Sequence, residues 1–135
     1  MTRPAGRTKP CTGVDARARF DDARRFLQAA ELLTEPGNGD VVATNAILSA
    51  IASAGVLCCL ALGRRSDDGN HHAAVALLAQ VDSALSTQLR RALDHKQQAG
   101  YESRDLSDSD AATCVEQARK LHTAAQIALL RSGVQ

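Results

Sequence analysis

Residues 41–63, VVATNAILSAIASAGVLCCLALG, run 23 positions without a charge and decide the fold. The length would cross a bilayer. Thr44, Asn45, Ser49 and Ser53 interrupt it, however, and alanine supplies much of its apolar content. That polarity predicts a central helix buried among other helices rather than a membrane span. Ala50, Ala54 and Gly55 would let its neighbours approach closely. Asn45 is the odd polar group. Burying it without a partner would be costly, so it is expected to hydrogen-bond another helix or a dimer mate, or to line a polar pocket.

Upstream, Thr12 followed three residues later by Asp15 reads as a capping box that opens a helix. Phe20, Ala23, Leu27 and Ala30 then recur at helical spacing. Glu35-Pro36-Gly37-Asn38-Gly39 ends that helix, and Asp40 is placed to cap the next. Residues 1–11, with Pro4, Gly6 and Pro10, read as a flexible basic arm, leaving 12–135 as one helical domain. Downstream, residues 64–70 (RRSDDGN) form a polar turn in which Asp68 or Asn70 caps a third helix beginning near His71. Val75, Leu78, Val81 or Asp82, Leu85, Leu89 and Leu93 supply its apolar stripe. Gly100 is the expected point of a bend or stop. Ser107 and Asp110 open a fourth helix, with Ala111, Val115, Ala118, Ala125 and Leu129 in register. The predicted fold class is all-α, an antiparallel four-helix bundle.

Composition agrees. Aromatics are nearly absent (Phe20, Phe26, Tyr101), while alanine and leucine dominate the apolar residues. These are good helix formers, and a β-sandwich would want more β-branched and aromatic residues. A net charge of +1 argues against a general polyanion binder. The charge is uneven, since residues 1–25 hold Arg3, Arg7, Lys9, Arg17, Arg19, Arg24 and Arg25 against Asp15, Asp21 and Asp22. A solvated tail and an exposed helix face account for that excess. Arg64, Arg65 and His72 likewise read as a solvated turn.

Cys11 and Cys114 stand alone and Cys58 adjoins Cys59, with no C-x-x-C pair. Zinc and thioredoxin-like sites are therefore unsupported. Small buried thiols in a reduced, cytoplasmic protein are expected, and no apolar leader follows the basic N-terminus. Adjacent His71 and His72 would point about 100° apart on a helix, so no metal site is predicted, and no cofactor. Neither a P-loop nor a nucleophile elbow is present.

Residues 89–121, LRRALDHKQQAGYESRDLSDSDAATCVEQARKL, gather Arg90, Arg91, His95, Lys96 and Tyr101 around the expected break. Together with residues 45–78 and the helix that follows Ser107, they resemble the bacterial members of the HEPN family (higher eukaryotes and prokaryotes nucleotide-binding). The resemblance covers about residues 14–130. It implies an all-α bundle that forms a homodimer, binds RNA or a nucleotide, and works beside an antitoxin or nucleotidyltransferase-type partner in toxin–antitoxin or defence modules. Catalytic members are metal-independent endoribonucleases with an Arg-x(4–6)-His motif, and Arg90 and His95 match it by letter. An imidazole can move the proton of a ribose 2′-hydroxyl while a guanidinium holds the phosphate. K-Q-Q-A-G-Y also resembles the family's R-x-x-A-D-Y variant, which puts Lys96 in the arginine's place and Tyr101 in the histidine's. The implied reading is an RNA- or nucleotide-binding module that uses Arg91, Lys96 and Tyr101. Its alternatives are a nuclease that uses Arg90 and His95, and a structural interaction module.

Overall fold

A computed structural model describes residues 6–102 and 106–134, with the side chains of 96–102 left aside. The chain is mostly helical. In order it forms β1 (Thr8–Pro10), α1 (Gly13–Leu32), α2 (Gly39–Leu62), β2 (Arg64–Ser66), α3 (His72–Ala79), α4 (Ser83–Glu102) and α5 (Asp108–Ser132). The charge-free run is α2, and it touches every other helix. α1 and α5 flank it most extensively, while α3 and α4 pack beside it as a smaller layer.

Side-chain size explains why α2 sits at the centre. Its buried residues cover most of its circumference, and they include Ala43, Ala46, Ala50, Ala52, Ala54, Ser49 and Ser53, while Val41, Thr44, Leu48, Ile51 and Gly55 mark one face that is less covered. Helix axes approach closely when the residues between them are small. From the other side come Ala16, Ala23 and Ala30 of α1 and Ala111, Ala118 and Ala125 of α5, all buried. Ile47, Val56, Leu77, Leu89 and Leu121 fill the remaining volume and are also fully buried. Ser49 Oγ donates to the Ala23 carbonyl oxygen at 2.7 Å, a buried polar tie between α2 and α1. By length and composition α2 could cross a membrane, but 61% of its most apolar window is buried within the protein itself.

Helix ends follow local chemistry. Thr12 and Asp15 form the expected capping box, with the Thr12 N–H donating to Asp15 Oδ2 at 2.8 Å and the Asp15 N–H donating to Thr12 Oγ1 at 3.2 Å. Ser107 caps α5 by accepting the Asp110 N–H. Gly63 closes α2 with φ 67°, a left-handed conformation that glycine adopts without a steric penalty.

Four expectations are corrected. The third predicted helix is two, because Asp82 turns the chain: its Oδ1 accepts the Leu85 N–H at 2.9 Å and its carbonyl accepts from Ser86. It caps α4 instead of extending an apolar stripe. Gly100 does not end that helix, which continues to Glu102; glycine costs a helix about 1 kcal/mol but does not forbid it. Asp40 lies inside the first turn of α2, and its Oδ1 accepts the Leu106 N–H at 2.8 Å, fastening the approach to α5.

The fourth correction concerns the arm. Residues 8–10 are not loose but pair antiparallel with β2, Lys9 opposite Arg65. The ribbon is extended by Asp67 N–H to the Arg7 carbonyl at 2.9 Å and Cys11 N–H to the Gly63 carbonyl at 3.1 Å. Directly beyond the strand, Cys11 forms a disulfide with Cys59, with Cα atoms 5.7 Å apart. The thiol expected at Cys59 is therefore bridged, while Cys58 is a buried free thiol as expected and Cys114 is another. Closing a loop between residues 48 apart in sequence stabilises a fold by roughly 4 kcal/mol in the chain-entropy picture.

Two substitutions test this scheme. A Cβ at Gly39 would collide with the backbone oxygen atoms of Leu106 and Ser107. Gly39→Ala should thus lower unfolding free energy by about 1–3 kcal/mol, the range for overpacking a rigid contact. Asp82→Ala should cost about 1 kcal/mol through loss of the cap. Urea titration of each variant reads both, and an unchanged Asp82→Ala midpoint would mean that α3 and α4 need no cap to separate.

Candidate functional site

Of the side chains expected to form a site on α4, Arg90 and His95 do not share a face of the helix. Arg90 and Arg91 are exposed and His95 is half-buried, its Nδ1 enclosed without a hydrogen-bond partner. Arg90 and His95 are five residues apart on a continuous helix, so they diverge by about 140°. Lys96 and Tyr101 lie outside the residues whose side chains are described. Within the chain, Asn45 bonds to no other helix among the described residues. It is half-buried, and its Nδ2 donates to the Val41 carbonyl one turn back in its own helix at 2.9 Å, which satisfies it without a second helix.

A different place gathers charge. A pocket of about 380 Å³ opens between α1, α2, the turn after β2 and α3. Its floor is apolar, formed by Ile51, Ala54, Ala74 and Leu77, with Gly55 leaving room beside them. Arg7, Arg19, Arg65 and His71 bring basic groups to its lining, and Asp67 and Asp68 line it as well. Four separate segments of the chain supply these groups.

The two acids are already engaged. Asp68 Oδ1 accepts the Asn70 N–H at 2.9 Å and its Oδ2 accepts the Arg7 N–H at 3.3 Å. These backbone donors hold its carboxyl below the usual range. Asp67 faces Lys9 Nζ at 3.9 Å on the exposed ribbon. The arginines are less fully paired. Arg7 and Arg65 make no ion pair within 4 Å among the described residues, although the Arg7 charge acts on Asp68 and that of Arg65 on Asp15. The ion pair of Arg19 is with Asp22, at 3.7 Å. Arg19 Nε is buried with no hydrogen-bond partner. Burial lowers the Arg19 pKa, and the neighbouring Arg65 charge lowers it further, with Asp22 opposing. An arginine so placed remains a cation. Two like charges are therefore held within range of each other beside an unmet N–H donor. An anion placed between them would relieve both conditions.

Cys58 also lines the pocket. Burial raises its pKa to about 11, with Arg64 opposing. At neutral pH it is a thiol, and the thiolate that a nucleophile needs is scarce. Among the described residues no group of three metal-ligating side chains occurs.

Sequence reading assigned these arginines to solvent. The excess of cations before residue 26 and the Arg64-Arg65 turn were both visible, but nothing local told a solvated arginine from one facing a pocket. Arg64 does point away, with Nη2 donating to Gln80 Oε1 at 3.3 Å, while its neighbour Arg65 lines the cavity. No family model, curated protein or solved structure matches this chain.

Elsewhere His122 of α5 stacks on Phe20 of α1, with ring centroids 4.7 Å apart and planes at 17°. Burial lowers its pKa, Arg24 lowers it further and Glu31 opposes. The folded chain thus favours neutral imidazole, whereas the unfolded chain takes up a proton near pH 6.5. Below that pH the unfolded state binds more protons, so stability falls with acidification. Urea midpoints should decline between pH 7 and pH 5. His122→Phe, which keeps the ring stack, should flatten that decline, and an equal slope in the variant would place the proton elsewhere.

Proposed function

We propose that this chain is a helical binding module for a small phosphorylated ligand of mononucleotide size, held by Arg7, Arg19 and Arg65. The observation that carries this reading is Arg19: a half-buried guanidinium with an enclosed, unpartnered Nε, set against a second arginine. Guanidinium groups bind phosphate through paired N–H donors in a planar fork. The volume of about 380 Å³ falls at the small end of ligand pockets. Its apolar floor suits the body of such a ligand, while the arginine wall suits the phosphate. A nucleotide ligand agrees with the family resemblance, but the site lies on α1 and β2 instead of α4.

Calorimetric titration with adenosine monophosphate and with pyrophosphate tests the proposal. Losing one charged hydrogen-bond donor costs about 1.5–3 kcal/mol, so Arg19→Gln and Arg65→Gln should each weaken binding about 10- to 100-fold. Arg19→Lys should not restore it, since an ammonium lacks the fork. Paired Arg90→Gln and Arg91→Gln substitutions should leave affinity unchanged. Equal affinity in Arg65→Gln, or no binding at millimolar ligand, would overturn the assignment. Gly55→Ala offers an independent check on the pocket. A Cβ there meets only Arg19 at 3.6 Å, an ordinary contact, so the variant should gain about 0.5–1 kcal/mol of stability while crowding the ligand.

A further inference from the structure

We propose that the Cys11–Cys59 disulfide is a redox latch on the arginine pocket, holding Arg7 at its wall when oxidised and releasing it when reduced. This rests on the anion-binding reading of that pocket. Arg7 belongs to the segment before β1, and that segment reaches the helical body at few points. Its ties include a three-residue ribbon, the Asp67 N–H to the Arg7 carbonyl, the Cys11 N–H to the Gly63 carbonyl, the Arg7 N–H to Asp68 Oδ2, the Lys9–Asp67 ion pair, and the disulfide. Every one except the disulfide is a hydrogen bond or, for Lys9 and Asp67, an ion pair between largely exposed side chains. A two-stranded ribbon this short is marginal in water by itself, and exposed ion pairs contribute little. The disulfide thus adds to the chain's own continuation into α1 a second covalent tie, to α2, and holds the segment more closely beside β2.

The chemistry is thiol–disulfide exchange. A thiolate of a dithiol reductant attacks Cys11 Sγ, which is only partly buried, and the bond to buried Cys59 breaks. Cys59 leaves as thiolate and takes a proton. The second thiol of the reductant then resolves the mixed disulfide, freeing Cys11 as a thiol while the reductant becomes a disulfide. Two electrons pass from reductant to protein. The reduced state is also accommodated, because Cys59 Sγ lies 3.3 Å from the Thr12 carbonyl oxygen, an acceptor for the new S–H. Cys58 and Cys114 are buried, and burial raises both pKa values to about 11, so neither competes in the exchange.

Pyrophosphate titration of the full chain, oxidised and after dithiothreitol, reads the latch. Reduction should weaken binding about tenfold, the loss expected from removing one of three guanidinium groups. By linkage, saturating pyrophosphate should then make the disulfide harder to reduce, shifting its potential by about 30 mV. A Cys11→Ser, Cys59→Ser double variant should bind as weakly as reduced protein and ignore dithiothreitol. Circular dichroism checks that its helices persist. If they do not, Arg7→Gln with the disulfide intact decides: it should match the reduced affinity and lose its redox response. Equal affinity of oxidised, reduced and Arg7→Gln proteins, with Arg19→Gln still impaired, overturns the latch and leaves the pocket standing. Failure of every form to bind pyrophosphate removes the pocket and the latch together.

Discussion

Everything in this fold depends on how closely other helices can approach α2. A 24-residue helix with no charge beyond its first turn has little to offer solvent, so its partners must cover most of its surface. Alanine and serine make this possible by leaving little side chain between the axes. The ties that fix the register are correspondingly few: Ser49 to Ala23 toward α1, Asp40 to Leu106 toward α5, and the Cys11 bridge at the far end. The pocket is a consequence of the same packing. Beside Gly55 and Ala54 the wall of α2 is low, and the space that larger residues would fill is left to Arg19 and the turn after β2.

Much of this was legible in the sequence for reasons that can be named. A long charge-free run has few other soluble outcomes, so α2 was found. Thr12 with Asp15, and Ser107 before Asp110, announce helix starts through chemistry confined to four residues. Asp82 carried the same kind of signal but was masked, because Leu78, Val81 and Leu85 continue a plausible helical spacing through the break. The ribbon was invisible, since three-residue strands show no alternation and Pro10 reads as a loop. For the site, the difficulty was distance. Arg7, Arg19, Arg65 and His71 lie on four segments, and only the packing of α1 on α2 and the pairing of β1 with β2 bring them to one cavity. The element that carried the family resemblance, with Lys96 and Tyr101, falls where side chains are not described.

The two adjacent cysteines of α2 show how a helix divides labour between neighbours. Consecutive residues point about 100° apart. Cys59 therefore faces the N-terminal segment while Cys58 faces the pocket, although one peptide bond separates them. For Cys11 to choose Cys58 instead, α2 would have to rotate by that angle and withdraw Ile47, Ala50 and Val56 from their partners. Close packing thereby imposes regiochemistry: one of two neighbouring sulfurs is the bridge and the other a spectator, selected by the hydrophobic core rather than by thiol reactivity.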